Sequence, residues 1–335
     1  MRPVPPGTTR PTSRPEVHQR PPLHRRIGRL AEELEDEGLA LDGPDGWREL
    51  VLEEIDYALH PHVHERRVPS YGSFVAPTID ATEWSVPTAL DLTLRPVGTF
   101  PLEQARRFSD GLSSWLTRTL DDSDASVVFD RPAGSERDLV VLAEATGATL
   151  VQRHPKGVVR VVGAFGVLRY DGIDWHREPP VRSWIESMSV CDGTGDPRVL
   201  AQLLEFAVHD LGARGIGAIL LYRPGDGRVP TYELRLPVPP QLQIGRPEDL
   251  APLTHALSQI DGACVFDEQG TLRQLGVRLV PSPEAETGVD GFRGMRHTAG
   301  RRYSYDDAKA TVIVVSEDGP VTVLRNGELL GRTEA

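Results

Sequence analysis

Cysteine is nearly absent. Cys191 and Cys264 are the only two in 335 residues, far apart and without a second pair of metal-binding side chains, which excludes a disulfide-stapled scaffold and a zinc ribbon. Long hydrophobic runs are missing too. No apolar stretch reaches 18 residues, and the opening MRPVPPGTTRPTSRP holds no leader-like apolar segment, so neither a membrane span nor a secretory signal is expected and the cytoplasm is the expected compartment. Nor is there an excess of positive charge: the net charge of −12 disfavours nucleic acid as a general partner.

What remains is globular in composition, 39% hydrophobic and 26% charged, and long enough for two domains with a core each. Charge is unevenly spread. Residues 1–26 hold six Arg, one Glu and seven Pro, a composition that denies them a helix or a paired strand and predicts a disordered basic tail. Residues 27–185 then predict an α/β domain. Ile27, Leu30, Ala31 and Leu34 fall at helical spacing, as do Trp47, Val51, Ile55 and Ala58. Pro101 opens a third helical pattern, with Leu102, Ala105, Phe108, Leu112, Trp115 and Leu116 on one stripe. Strand-like runs follow from Ser126 to Trp175, and Asp171–Trp175 predicts a hairpin with a packed tryptophan. His60, His62 and His64 alternate as metal ligands can, but Pro61 and Glu65–Arg67 predict a solvated connection.

Cys191–Pro197 is a turn-forming cluster ending in an N-cap Asp196 and a first-turn Pro197, and a second domain is expected over 196–330. Its pattern is a helix burying Leu200, Leu203, Leu204, Ala207 and Leu211, a strand over 216–222, and a helix from Pro247 running into Asp261-Gly262-Ala263. Strands near 264–266, 271–280, 311–315 and 321–324 complete it. A helix, small pair and hairpin beginning at Asp138 follow the same outline as those beginning at Asp249, with Thr146 in the place of Asp261.

Two constellations carry chemistry. Asp261-Gly262-Ala263 sets a carboxylate beside residues small enough for a ligand to approach the backbone, suited to a divalent cation or to a sugar hydroxyl. Gly288–Gly300 sets Arg293, Arg296 and His297 among four glycines, as a polyphosphate requires. It lacks the Gly-Lys-Ser/Thr ending of a Walker loop. Together these stretches resemble the diadenylate cyclase (DAC) domain family, whose signatures read DGA and GTRHR. Gly215–Leu220, Gly276-Val277-Arg278-Leu279 and Val314–Gly319 resemble further segments of the family in the same order.

The resemblance implies an α/β fold, a DAC-type mixed sheet flanked by helices behind a separate α/β regulatory domain. It implies condensation of two ATP into cyclic di-AMP and two pyrophosphates, by catalytic domains of a homo-oligomer meeting face to face. Asp261 would hold Mg2+ or Mn2+ near the 3′-hydroxyl with Glu317, or Asp318 in its place. Arg296 and His297 would grip the triphosphate, and Gly262, Ala263, Leu279, Gly294, Thr298 and Ser316 would line the nucleotide. GTRHR is here Gly294-Met295-Arg296-His297-Thr298, with the Thr replaced by Met295 and the second Arg by Thr298. Two readings follow: a cyclase whose missing contact is supplied by Arg293, Arg301 or Arg302, or a catalytically weak or inactive nucleotide-binding sensor of the same fold.

Overall fold

A computed structural model describes residues 22–39, 41, 43–63, 68–76, 92–121, 124–188, 195–225, 232–234, 238–292 and 294–333. The chain forms α1 (Leu23–Asp36), α2 (Trp47–Leu59), β1 (Tyr71–Ala76), β2 (Leu94–Gly98), α3 (Leu102–Phe108), β3 (Ser114–Thr119), β4 (Ala125–Phe129) and α4 (Glu136–Thr146). There follow β5 (Thr149–Arg153), β6 (Val159–Gly163), β7 (Gly166–Tyr170), β8 (Trp175–Glu178), α5 (Val181–Met188) and α6 (Pro197–Glu205). Helix α6 widens into a π-helical turn, Phe206–Leu211, before β9 (Ala218–Tyr222) and β10 (Tyr232–Leu234). The last elements are α7 (Pro247–Gln259), β11 (Ala263–Phe266), β12 (Leu272–Leu279), α8 (Pro283–Gly288), α9 (Met295–Asp306), β13 (Thr311–Val315), β14 (Val321–Arg325) and β15 (Glu328–Arg332).

The expected α/β architecture holds, as two mixed sheets of order β2-β4-β3-β1-β5-β6-β7-β8 and β10-β12-β11-β9-β13-β14-β15. Each is covered on both faces. In the second sheet Leu220, Tyr222, Cys264, Phe266, Ile313 and Val315 pack with α6, the π-turn and α7. Ile219, Leu221, Ala263, Val265, Val312 and Val314 alternate onto the other face, against Tyr303 of α9. Helix α9 lies close because residue 300 is glycine: a Cβ there would stand 3.1 Å from both Val312 and Val314 side chains.

Two expectations are corrected. Of the tail expected at 1–26, residues 1–21 lie outside the described ones, but α1 begins at Leu23. Its first turn is secured by Arg26, whose Nε and Nη2 donate to Asp56 of α2 at 3.0 and 2.7 Å. The long stripe from Pro101 breaks after Phe108. Asp110 Oδ1 accepts the backbone N–H groups of Leu112, Ser113 and Ser114, and Gly111, at φ +69°, sits where a Cβ would be 2.2 Å from the Tyr71 carbonyl oxygen. Trp115 and Leu116 therefore belong to β3, parallel to β1. Both strands are tied to α2 and α3 by buried Glu54, which accepts hydrogen bonds from Tyr71, Arg118 and Arg106, the last at 2.8 Å. His60 caps α2 through Asp56, and His64 lies outside the described residues. The hairpin at Asp171–Trp175 forms as expected, with the Trp175 indole donating to Glu33 at 2.8 Å.

Candidate functional site

Three chain segments meet at one edge of the second sheet. Strands β9 and β11 run parallel, so both begin there, while β13 is antiparallel to β9 and ends there. The edge therefore receives Gly217 before β9, Asp261-Gly262 before β11 and Ser316-Glu317 after β13. Helix α9 starts at the same edge and brings its free N–H groups with it.

Asp261 follows α7 directly and is 94% exposed. Gly262 holds φ +107°, and a Cβ on it would stand 2.7 Å from the backbone carbon of Gly276 on β12, so glycine is required twice over, by conformation and by space. Ala263 is buried as the first residue of β11, and Leu279 is buried near the end of β12. Gly294, at φ +83°, is the N-cap of α9. Met295 is almost fully exposed. Arg296 turns across the edge: its Nη1 donates to Glu317 Oε1 at 2.9 Å, and its Nη2 lies 3.9 Å from Asp261 Oδ1. Gly217 makes room beneath it, since a Cβ there would be 2.4 Å from Arg296 Nη1 and 2.8 Å from Glu317 Cγ.

Around this triad opens a cleft of about 560 Å3 lined by Asp261, Gly262, Gly276, Arg278, Met295 and Arg296 among others. That size suits a small organic ligand. A second recess, bounded by Gly215–Gly217, shares Asp261, Arg296 and Glu317 with it. Two carboxylates, the guanidinium that lies against both, a helix N-terminus and the apolar side chains of Ile219, Val277 and Leu279 form a place where an anionic ligand and a hard cation fit together.

Family comparison agrees with this geometry. Residues 242–329 match the DAC model, described as the DisA bacterial checkpoint controller nucleotide-binding domain, and residues 28–178 match DACNK, described as a probable sensor domain. The chain carries a DAC domain behind a DACNK domain. Comparison with curated proteins gave no match. Among solved structures, a hypothetical membrane spanning protein from Bacillus cereus is 22% identical, covering 42% of this chain and 70% of its own, with a TM-score of 0.29. A double mutant of DacA from Staphylococcus aureus is 19% identical, covering 46% of this chain and 88% of its own, with a TM-score of 0.25.

Within the DAC domain, the anticipated site residues divide by what they touch. Asp261, Gly262, Leu279, Arg296 and Glu317 share the main cleft; Ala263, expected to line the nucleotide, is fully buried in β11 and does not line it. Gly294, Ser316 and Asp318 line a shallower recess with Met295, Arg296, His297 and Glu317. Asp318 does not line the main cleft, whereas Glu317 lines both. His297 is buried, with Nε2 3.2 Å from Thr322 Oγ1 and its ring centroid 5.7 Å from that of Phe292.

Thr298 is occupied by its own loop. Its hydroxyl accepts from Phe292 N at 3.1 Å and is within bonding distance of the Phe292 and Gly294 carbonyl oxygens, at 2.9 and 3.0 Å. Arg301 donates to the Gly327 and Asp290 carbonyls, and Arg302 to those of Val289 and Glu286. Neither lines the cleft; Arg293 lies outside the described residues. Arg278 stands on the cleft wall without being among the expected site residues. Gly217 and Gly276 also shape the site without being among them. Their signal was glycine inside a strand, which marks a close approach.

No three His, Cys, Asp or Glu side chains gather into a ready-made metal cluster among the described residues. The paired carboxylates Asp261 and Glu317 still fit Mg2+ or Mn2+, cations that take one or two protein carboxylates and complete their shell with substrate phosphates and water.

Proposed function

We propose that the protein is a diadenylate cyclase, joining two ATP molecules into cyclic di-AMP with release of two pyrophosphates. The observation that carries this is the convergence of Asp261, Arg296 and Glu317 on one cleft at the N-terminus of α9, within the segment matched by the DAC model. In each half-reaction the 3′-hydroxyl oxygen of one ATP attacks the α-phosphorus of the other. The bond to the bridging oxygen breaks, pyrophosphate leaves, and the hydroxyl proton passes to solvent. One cleft holds one ATP, so two copies of the domain meet face to face in a homo-oligomer.

The chain supplies positioning and charge. Gly262 and Gly276 let the nucleotide lie against the backbone, with Ile219 and Leu279 as apolar lining and Ala263 buried behind them. Arg296 and the N–H groups after Gly294 neutralise the triphosphate and the departing pyrophosphate. Buried His297 holds the first turn of α9 against Thr322, and Ser316 lines the phosphate end. Mg2+ or Mn2+ bound by Asp261 and Glu317 would supply charge neutralisation at the attacking hydroxyl and the phosphates. The partners of this reading are ATP and a second copy of the chain, and the setting is the cytoplasm; among the described residues no helix is long and apolar enough to cross a membrane.

A second reading rests on a specific observation. Thr298 is spent on its loop, and neither Arg301 nor Arg302 lines the cleft. Losing one phosphate contact of this kind costs about 2–4 kcal/mol in the transition state, so a nucleotide-binding sensor with little turnover is the alternative. Incubation with ATP and either metal, followed by mass spectrometry, separates the two. Cyclic di-AMP formation that Asp261→Asn abolishes supports the cyclase; ATP binding with no product supports the sensor; neither binding nor product refutes both.

A further inference from the structure

The two sheets are built on the same plan. β1 and β9 occupy the centre, each parallel to one neighbour, β3 or β11, and antiparallel to the other, β5 or β13. Outward on one side lie β4 and β2, or β12 and β10; on the other lie β6 and β7, or β14 and β15. The correspondence reaches residue register. The ranges of β5, β6 and β7 recur 162 positions later as β13, β14 and β15; the β5–β6 pairs recur in β13–β14 without exception, and the β6–β7 pairs recur in β14–β15 up to a bulge between Val323 and Leu324. The β1–β5 pairs recur likewise, so that Phe74↔Leu150 matches Leu221↔Val312. Helix α2 covers the face that α6 covers, and α4 the face that α9 covers. The likeness expected between Asp138–Gly163 and Asp249–Gly276 is therefore displaced. β5 is antiparallel to β1 whereas β11 is parallel to β9, so α4 corresponds to α9 and not to α7.

We infer that the N-terminal domain is a diverged copy of the DAC fold in which the nucleotide cleft has been closed and its edge turned into a docking surface for the catalytic domain. Three observations carry the closure. Gln152, at the position of Val314, is fully buried and its amide donates to the Gly111 and Gly134 carbonyls at 2.7 and 3.0 Å, stitching together the two loops that bound a cleft in the DAC domain. Leu112 fills the space beside Gly134, where a Cβ would meet it at 2.3 Å. Ser135 and Asp138 form a capping box that occupies free N–H groups of α4.

The docking is in place on the same edge. Both α4 and α9 carry arginine as their second residue. Arg296 faces Asp261 and Glu317 of its own domain, whereas Arg137 faces Asp210 and Glu205 beyond the domain boundary, at 3.1 and 3.3 Å. Beside it, buried Glu136 is held by Arg169 through two bonds of 2.6 Å and by His209 Nδ1 at 2.9 Å. His209 and Asp210 lie on the π-turn, a helix irregularity often found at functional sites. That turn leads straight into Gly215–Gly217, the rim of the catalytic recess, and its end at Gly212 backs onto Gly319 in the β13–β14 turn. Carboxylates of the catalytic domain thus stand at the helix end that in the DAC copy faces the nucleotide, and a load on the π-turn reaches the cleft through one short segment.

The part of this inference that concerns ATP rests on the proposed function; the docking part does not, and full-length protein tests them separately. Hydrogen exchange of residues 206–217 is compared in the natural protein, Arg137→Ala, Arg137→Lys and Asp210→Asn. Docking predicts faster exchange in Arg137→Ala and Asp210→Asn, partial recovery in Arg137→Lys, and no further increase in the double variant; unchanged exchange overturns it. ATP titration by calorimetry gives the second readout. One ATP per chain is expected, abolished by Arg296→Ala and weakened about fivefold or more by Arg137→Ala. A second ATP that survives Arg296→Ala overturns the closed cleft, and equal affinity in Arg137→Ala overturns the coupling. If no ATP binds at all, the proposed function and the coupling fall together, while the exchange result still decides the docking.

Discussion

Glu178 ends β8 next to Arg169, and its replacement by glutamine tests the electrostatics of the domain boundary. Burial pushes its carboxyl up to about 7, against the pull of the Arg169 guanidinium at 3.0 Å and with the added push of ionised Glu136. Its Oε2 is buried without a hydrogen-bond partner among the described residues, so only the Arg169 bond to Oε1 offsets a full charge there. Glu136 is the opposite case: despite burial, Arg169 and His209 hold it well below the usual carboxylate range, and it takes the ionic share of the cluster. Because the folded pKa of Glu178 lies above its ordinary value of 4.5, the folded state holds the proton more tightly than the unfolded chain. Its contribution to stability is complete below about pH 4.5 and is lost as the pH rises to about 7. A shift of this size corresponds to about 3 kcal/mol. Glutamine resembles the protonated acid, so Glu178→Gln should match the natural protein near pH 5 and exceed it by roughly that amount at pH 8.5. Trp47, Trp115 and Trp175 are buried in the first domain while Trp184 packs on the core of the second, so urea unfolding followed by tryptophan fluorescence reads both sides of the boundary, with equal m-values as the condition for comparison. A variant less stable at pH 8.5, or a difference that does not vary with pH, would refute the reasoning and mean that the Arg169 ion pair keeps Glu178 charged.

Three further substitutions probe the frame around the site. Gly262→Ala combines a left-handed φ with a 2.7 Å approach to Gly276, and should lower DAC-domain stability by about 2 kcal/mol or more in scanning calorimetry. Thr298→Val removes the hydroxyl that links Phe292 and Gly294; a loss of about 1–2 kcal/mol is expected, with weaker ATP binding as the first turn of α9 loosens. Glu54→Gln removes the buried charge between Arg106 and Arg118 but leaves Arg106 with Glu103 and Arg118 with Asp124, and should cost about 1.5–3 kcal/mol by tryptophan-monitored unfolding.

The helices with strict 3.6-residue spacing, α1, α2 and α7, were legible in the sequence because each buries one apolar face, and β9, β11, β12, β13 and β14 because they are short, largely apolar runs; β10 and β15 were not legible. The helix from Pro101 was over-read for the same reason. Leu112, Trp115 and Leu116 happen to continue its stripe, and the breaking signal, Asp110-Gly111 with two serines after it, was outweighed by apolar spacing. The π-turn left no trace, since Phe206, Ala207, Val208 and Leu211 suit an ordinary helix. What sets it apart is that His209 and Asp210 are buried by partners more than 70 residues away. For the site, the DGA and Arg-His pairings located the cleft, but their chemistry does not say which way a side chain turns. His297 points to Thr322, and Thr298 to its own loop.

The same edge of the same sheet is used twice in this chain, and strand direction explains why that edge is available. A parallel pair needs a crossover, and the crossovers through α3 and α7 each return the chain to the edge where β1 or β9 began. The neighbour on the other side, β5 or β13, runs the opposite way and delivers its outgoing turn to that edge as well. Three loops and a helix N-terminus therefore converge there whatever residues they carry. Where the loops hold Gly217, Gly262 and Glu317, the gap beneath Arg296 stays open. Where the buried strand position is Gln152 instead of Val314, one amide closes the loops upon each other and leaves Arg137 to find its carboxylates in the neighbouring domain. The difference between a cleft and a docking surface is thus placed in a few side chains on a common backbone, and the first of them to change is Gln152. Gln152→Val should free the Gly111 and Gly134 carbonyls while leaving the sheet register intact.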